Sequence, residues 1–141
     1  MAKISYSDNL RISKAARSQW LLEHKKQETE KKRRKAEKLE ALVSALHDHF
    51  YWLRSGEKLR YNDPHPWAKI EAIQYVYFSE FADFSSALWK AERAFIASKK
   101  TKNEISGDEI DEIVKRDWLE YSDIFTAYLK TIEEYAKREF Q

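Results

Sequence analysis

The stretch "VKRDWLEYSDIFTAYLKTIEEY" (residues 114–135) sets the fold class of this chain. Its large apolar side chains recur in alternating steps of four and three residues, the spacing that keeps them on one stripe of an α-helix. A stripe of this kind packs against a neighbouring helix. Its members are Val114, Trp118, Tyr121, Phe125, Tyr128, Ile132 and Tyr135.

Turn-forming residues are scarce along the whole chain. The 141 residues contain two glycines, Gly56 and Gly107, and two prolines, Pro64 and Pro66. A β-rich fold needs many turns, which depend on Gly, Pro and Asn, so the composition predicts an all-α fold. The same scarcity excludes the P-loop, the dinucleotide-binding glycine motif and the nucleophile elbow, because each needs closely spaced glycines.

Three long helices are predicted to form an aromatic-rich bundle. Ser7 or Asp8 can cap the first helix, and Ser106 with Glu109 has the spacing of a capping box that opens the third. The segment "RYNDPHPW" reads as a turn between the first two, because Pro disfavours helix in the residue before it. The helices are predicted at about residues 8–54, 66–100 and 107–139.

The second helix carries apolar residues on two faces. A helix of this kind is usually buried on more than one side, so we expect it at the centre of the bundle, covered by the other helices or by a second subunit. A homodimer, or an obligate complex with another protein, would cover its aromatic residues. The first face comprises Trp67, Ile70, Gln74, Tyr77, Phe81, Phe84, Leu88, Ala91 and Phe95, and the second comprises Tyr75, Phe78, Trp89 and Ile96.

The first helix changes character partway along its length. Its stripe is apolar in the C-terminal part, but four successive positions before it are charged. Burying ions without partners is costly, so we predict a basic, solvated helical arm at residues 1–35 and a helical bundle body at residues 36–141. The apolar stripe runs through Leu39, Leu42, Leu46, His49 or Phe50, and Leu53, and the charged positions are Lys25, Glu28, Lys32 and Lys35.

Positive charge is concentrated toward the N-terminus. Residues 1–60 hold 15 Lys and Arg against 8 Asp and Glu, a net +7, whereas residues 61–141 hold 11 against 16, a net −5. A basic stripe can follow a phosphate backbone and release counterions, although such runs are more often a solvated helix face. The run "KKRRK" also resembles a nuclear localisation signal. The candidate nucleic-acid-binding residues are Lys25, Lys26, Lys31, Lys32, Arg33, Arg34, Lys35 and Lys38.

Aromatic residues are more abundant than one small core is expected to hide. The chain contains 5 Trp, 8 Tyr and 7 Phe. Tyr and Trp combine a large apolar area with a polar group and are enriched in binding interfaces. We therefore predict a partner-binding surface that includes Trp20, Leu21, Tyr51, Trp52, Tyr61 and Trp67.

Metal sites are not predicted. His47 and His49 lie about 200° apart on a helix, so they cannot easily share one ion. Asp63 and His65 sit in a turn and lack an obvious third ligand. No cofactor is expected either.

Catalysis is not predicted, although one spacing has a counterpart in an enzyme family. The spacing of Arg17 and His24 resembles the Arg-x₄₋₆-His motif of the HEPN superfamily. This superfamily of helical bundles includes ribonucleases. In that family the motif lies beside a buried site on a later helix, whereas here it falls in the polar arm.

The chain has no Cys, no stretch long enough to span a membrane and no apolar signal sequence at its start. We expect a soluble protein of the cytoplasm, or of the nucleus if the source is eukaryotic or viral, with no membrane partner and no small-molecule substrate.

The favoured hypothesis is a non-catalytic interaction module, an adaptor or inhibitor of the kind that phages and plasmids encode. The alternative is a nucleic-acid-binding protein that uses the basic arm.

Overall fold

The computed structural model describes the backbone of residues 6–55 and 66–141, and the side chains of residues 13–55 and 67–141. In these ranges the chain is helical and contains no strand, which confirms the predicted all-α class. Four α-helices replace the three expected. They are α1 (Tyr6–Ser55), α2 (Pro66–Tyr77), α3 (Ala82–Glu104) and α4 (Asp108–Phe140), with one 3₁₀ turn (Ser79–Phe81) between α2 and α3.

The chain divides into two compact units, Met1–Ala36 and Glu37–Gln141. In the first unit the described residues belong to α1, and every side chain from 13 to 34 is exposed. The charged stripe is therefore outside any core there: Lys25, Glu28 and Lys32 are exposed, and Lys35 is half-buried.

The second unit holds a filled aromatic core. The apolar stripe predicted for the first helix is confirmed, since its members at 39, 42, 46, 49 and 53 are all buried. The stripe of α4 is confirmed as well: Tyr121 and Tyr128 have no exposed surface, and Val114 and Trp118 at its beginning are half-buried.

Aromatic pairs show that α3 and α4 run antiparallel. Near the start of α3, Phe84 stacks on Tyr128 with ring centroids 5.2 Å apart. Near its end, Phe95 lies 5.1 Å from Trp118, and Lys102 makes an ion pair with Asp111 at 3.1 Å. Because the α3 residue number rises as the α4 number falls, the two helices pack along their lengths in opposite directions.

The second predicted helix is broken at Phe78, and the expectation of one continuous helix is wrong. Phe78 has φ −136° and ψ 58°, outside the helical region, and its side chain is fully buried. Trp67 lies 5.5 Å from Trp89 between ring centroids. In a continuous helix these two residues would be about 33 Å apart, at 1.5 Å per residue. The break therefore folds α2 back against α3.

Hydrogen bonds hold the break in place without Gly or Pro. The amide of Phe78 donates to the carbonyl of Gln74 at 2.9 Å, and the amide of Phe81 donates to the carbonyl of Phe78 at 3.0 Å. The side-chain amide of the buried Gln74 also donates to the Phe78 carbonyl, at 3.3 Å. These bonds satisfy backbone groups that the interruption of a helix would otherwise leave unpaired.

Three predicted helix ends need correction. The backbone of α1 begins at Tyr6, so Ser7 and Asp8 lie inside the helix and not before it. The predicted second helix was expected to end near residue 100, but its last part, α3, continues to Glu104, where the amide of Ile105 still bonds to the carbonyl of Thr101.

The capping box predicted for α4 is also wrong. The N-cap residue is Gly107, and no side chain caps the helix. Gly107 has φ 148°, a conformation that residues with a side chain rarely adopt. The acidic residues Asp108, Glu109 and Asp111 occupy the first turn, where negative charge is favourable to the helix dipole.

We predict that Phe78→Ala destabilises the second unit by about 3–5 kcal/mol, the usual loss for a buried Phe. Its ring contacts both Phe81 and Tyr135, so its removal leaves a cavity where the chain reverses. Chemical denaturation followed by circular dichroism measures the change. Leu119→Ala, at a side chain 51% exposed, is the control and should change stability by less than about 0.5 kcal/mol. Equal effects of the two substitutions would contradict the assigned role of Phe78.

Candidate functional site

Three adjacent apolar side chains stand exposed on α1 in the first unit. Trp20 is 62% exposed, Leu21 is 53% exposed and Leu22 is 67% exposed. The Trp20 ring stacks on His24 one turn later, with centroids 5.1 Å apart and ring planes 6° apart. Isolated exposed apolar residues are ordinary, but three consecutive large ones on a helix without a core form a surface that is suited to a partner.

Most of the predicted basic residues lie on the same helix and are exposed, from Lys25 to Arg34. Lys31 lies 3.9 Å from the carboxylate of Glu28, and Arg33 makes an ion pair with Glu30. The Arg33 guanidinium lowers the pKa of Glu30 below its ordinary value, first by hydrogen bonding and then by charge. These pairs are exposed to solvent and contribute little to the stability of the helix.

Two of the predicted basic residues have less exposure. Lys35 is half-buried. Lys38 belongs to the second unit, is half-buried, and holds its ammonium 5.6 Å from the centre of the Tyr77 ring. A cation over an aromatic face is attracted by the ring electrons, so Lys38 has a stabilising contact within the protein.

The predicted aromatic surface near the end of α1 is divided by the fold. Tyr51 is 64% exposed, Trp52 is half-buried, and Trp67 is 8% exposed. The Trp67 ring packs in the core between His49 and Trp89, so little of it is open to a partner. Tyr61 lies outside the described residues.

A buried polar cluster, which the sequence did not reveal, connects three helices of the second unit. We call it the buried triad: His49 of α1, Glu92 of α3 and Tyr121 of α4. The Tyr121 hydroxyl lies 2.6 Å from Nδ1 of His49, and Nε2 of His49 lies 3.3 Å from Oε1 of Glu92. The histidine and glutamate side chains are 0% and 1% exposed.

The surroundings of Tyr121 keep its hydroxyl protonated. Burial, and to a smaller extent the Glu92 carboxylate, raises the pKa of Tyr121 above its ordinary value. The hydroxyl therefore keeps its proton and forms a hydrogen bond with Nδ1 of His49.

The surroundings of the triad are aromatic and closed to solvent. The His49 ring lies 5.8 Å from Trp52 and 5.5 Å from Trp67. An acid, an imidazole and a hydroxyl in a row resemble a proton relay, but these side chains offer no exposed surface to a substrate. The arrangement acts within the fold: it joins α1, α3 and α4 at one level of the bundle.

Two exposed histidines and a second buried tyrosine lie outside the triad. His47 is exposed and meets the edge of the Phe125 ring at 5.5 Å, and His65 lies outside the described ranges. Burial raises the pKa of Tyr128 to about 12, and the neighbouring Ser85 opposes the rise. Arg17 and His24 are both exposed, unlike the motif that they resemble.

The described residues include neither a metal site nor a membrane-spanning helix. No group of three or more His, Cys, Asp or Glu side chains among them is placed to hold a metal ion. None of the described helices combines the length and the apolar character needed to cross a membrane.

Comparison of the chain with protein-family models, with curated proteins and with solved structures finds no match.

We predict that Tyr121→Phe destabilises the second unit by about 1–3 kcal/mol, because it leaves Nδ1 of the buried His49 without its hydrogen bond while hardly changing packing. Urea denaturation monitored by circular dichroism measures the change. Tyr51→Phe removes the same hydroxyl from an exposed ring and is the control, with little expected change. A Tyr121→Phe variant as stable as the control would show that the triad does not hold the helices together.

Proposed function

We propose that this protein is a non-catalytic helical interaction module, an adaptor or inhibitor that acts by occupying a surface of another protein. The observation that carries the proposal is the run of three exposed apolar residues, Trp20, Leu21 and Leu22, on α1. Their neighbours from residue 13 to residue 34 are also exposed. Most helix stability in proteins comes from packing of an apolar face, and a partner would supply that packing.

The three side chains indicate the shape of the partner site. Successive residues of an α-helix are separated by about 100°, so Trp20 and Leu22 lie on opposite sides of Leu21. Together they cover more than half of the helix circumference. A flat surface would contact one of them well, whereas a groove that receives the helix would contact all three.

The charges next to this run indicate the rim of the groove. Lys25 and Lys26 follow it within about one turn, and both side chains are exposed. A partner groove with an acidic rim on that side would attract these ammonium groups, and complementary charge speeds the encounter of two proteins. We therefore propose an apolar groove with acidic residues at one end as the partner surface.

The test is affinity capture from cells of the source, with nuclease-treated and untreated lysates. We predict that the triple variant Trp20→Ser, Leu21→Ser, Leu22→Ser captures at least about tenfold less of the partner, because large apolar anchors dominate most interfaces. The matched control is Ser18→Ala, Gln19→Ala, Gln27→Ala, which changes three exposed polar residues of the same helix. The proposal fails if the triple variant captures as much as this control, or if nuclease removes every captured protein.

A second candidate function is nucleic-acid binding by the first unit. The observation that favours it is the excess of exposed cations over acids: among the described residues, Lys25, Lys26 and Lys32 make no ion pair. Lys31, Arg34 and Lys35 also share one arc of the helix. Contacts from such residues to phosphates give salt-sensitive binding with little sequence preference.

We predict, for this second candidate, that Lys31→Gln, Arg34→Gln, Lys35→Gln together reduce the slope of log K against log salt by up to about three, one for each lost phosphate contact. Fluorescence anisotropy with a labelled duplex at several salt concentrations measures the slope. Lys90→Gln, Lys100→Gln, Lys130→Gln removes the same charge from exposed positions of α3 and α4 and should leave it unchanged. Absence of binding at low salt would dismiss this candidate.

A further inference from the structure

The outer face of α2 is apolar and uncovered. Ala68, Ala72, Tyr75 and Val76 follow the helical spacing i, i+4, i+7, i+8, and all four are exposed. Tyr75 is 81% exposed and Val76 is 68% exposed. We call these four residues the α2 outer face.

The opposite side of the same helix is buried in the core. Trp67, Ile70 and Ile73 are each at most 9% exposed. A helix that is apolar on both sides is usually buried on both sides, but the second unit covers only one. The two alanines of the outer face allow another helix to approach closely, and the Tyr75 ring offers a large apolar area beside them.

The two charged residues of α2 border the outer face on opposite edges. Lys69 lies three residues before Ala72 and seven before Val76, so it flanks one edge. Glu71 lies three residues after Ala68 and four before Tyr75, so it flanks the other edge. Both side chains are exposed. The apolar face therefore has one positive and one negative margin.

This charge arrangement is complementary to itself. When two parallel helices pack around a two-fold axis that runs along them, the left edge of one helix meets the right edge of the other, as in parallel coiled coils. Lys69 of each copy then faces Glu71 of the second copy, on both sides of the contact. In an antiparallel pair, like edges meet and the charges repel.

We propose that the α2 outer face is a self-association surface, and that its occupant is the α2 outer face of a second copy of this chain in parallel orientation. The surface is separate from the helix segment of the first unit assigned to a partner protein above. The 12 residues of α2 span about 18 Å, so this helix alone buries less than the roughly 800 Å² per partner of a standard interface. The dimer is therefore reversible, and its population depends on protein concentration.

The experiment is sedimentation equilibrium of the full chain from low to high micromolar concentration. Lys69→Glu and Glu71→Lys should each weaken dimerisation by about fivefold or more, since each change places like charges on both edges of the contact. The double variant with both substitutions exchanges the margins and should restore the wild-type dissociation constant. Tyr75→Ser should weaken dimerisation by at least about tenfold.

Controls separate this pairing from its alternatives. Lys130→Glu and Glu134→Lys make the same charge changes at exposed positions of α4 and should leave dimerisation unchanged, alone or together. Circular dichroism melting of every variant checks that the fold is intact. A chain that remains monomeric at all concentrations overturns the proposal. A double variant as weak as the single variants also overturns it, because residues 69 and 71 would then not face each other across the contact.

Discussion

The reversal of the chain at Phe78 is the constraint on which the second unit depends. It turns one predicted helix into two, and it brings Trp67 to Trp89 across a distance that a straight helix could not close. Trp67 also lies beside His49, so the reversal adds the Trp67 ring to the aromatic side chains around the buried triad. Burial of the Phe78 ring against Phe81 and Tyr135 stabilises the turn from the inside. Core packing thus performs here the role that Gly or Pro performs in many helical hairpins.

The buried triad gives this core a defined arrangement. An apolar aromatic core of this kind could tolerate small shifts of one helix along another, because rings pack in many orientations. The hydrogen bond between Tyr121 and His49, and the contact between His49 and Glu92, exist in only one register of α1, α3 and α4. A buried ionisable group is costly unless it is paired, so registers that separate these side chains are disfavoured. The triad is expected to contribute specificity at least as much as stability.

The sequence predicted the parts of the fold that follow from regular spacing. The stripes of α1 and α4 were correct, and three of the four charged positions before Leu39, at 25, 28 and 32, are exposed as expected. Sequence reasoning missed the break at Phe78 because the apolar spacing continues through it and no turn residue is present. Sequence reasoning proposed Ser106 as the N-cap because its spacing to Glu109 fits a capping box. The N-cap residue is instead Gly107, and no side chain caps the helix.

The buried triad was missed for a related reason. His49 was placed on the apolar stripe, but its partners lie 43 and 72 residues further along the chain, and spacing within one helix carries no information on such pairs. A usable signal was present in α3: Glu92 stands between Leu88 and Phe95 on the face that packs inward. A carboxylate at such a position needs a buried partner, and a histidine at a stripe position of another helix is a natural choice.

Two kinds of uncovered apolar surface remain, and their charges distinguish them. Trp20, Leu21 and Leu22 lie in a segment whose neighbours are strongly cationic, so a second copy of that segment would be repelled and a partner of opposite charge would be attracted. The α2 outer face has one positive and one negative margin, Lys69 and Glu71, so it attracts a copy of itself. The same physical rule, that apolar contact supplies affinity while charge selects the partner, supports both proposals: a different protein for the first surface and self-association for the second. A dimer formed through α2 would carry two copies of the segment on α1, and a partner with two grooves would bind such a dimer more tightly than a monomer.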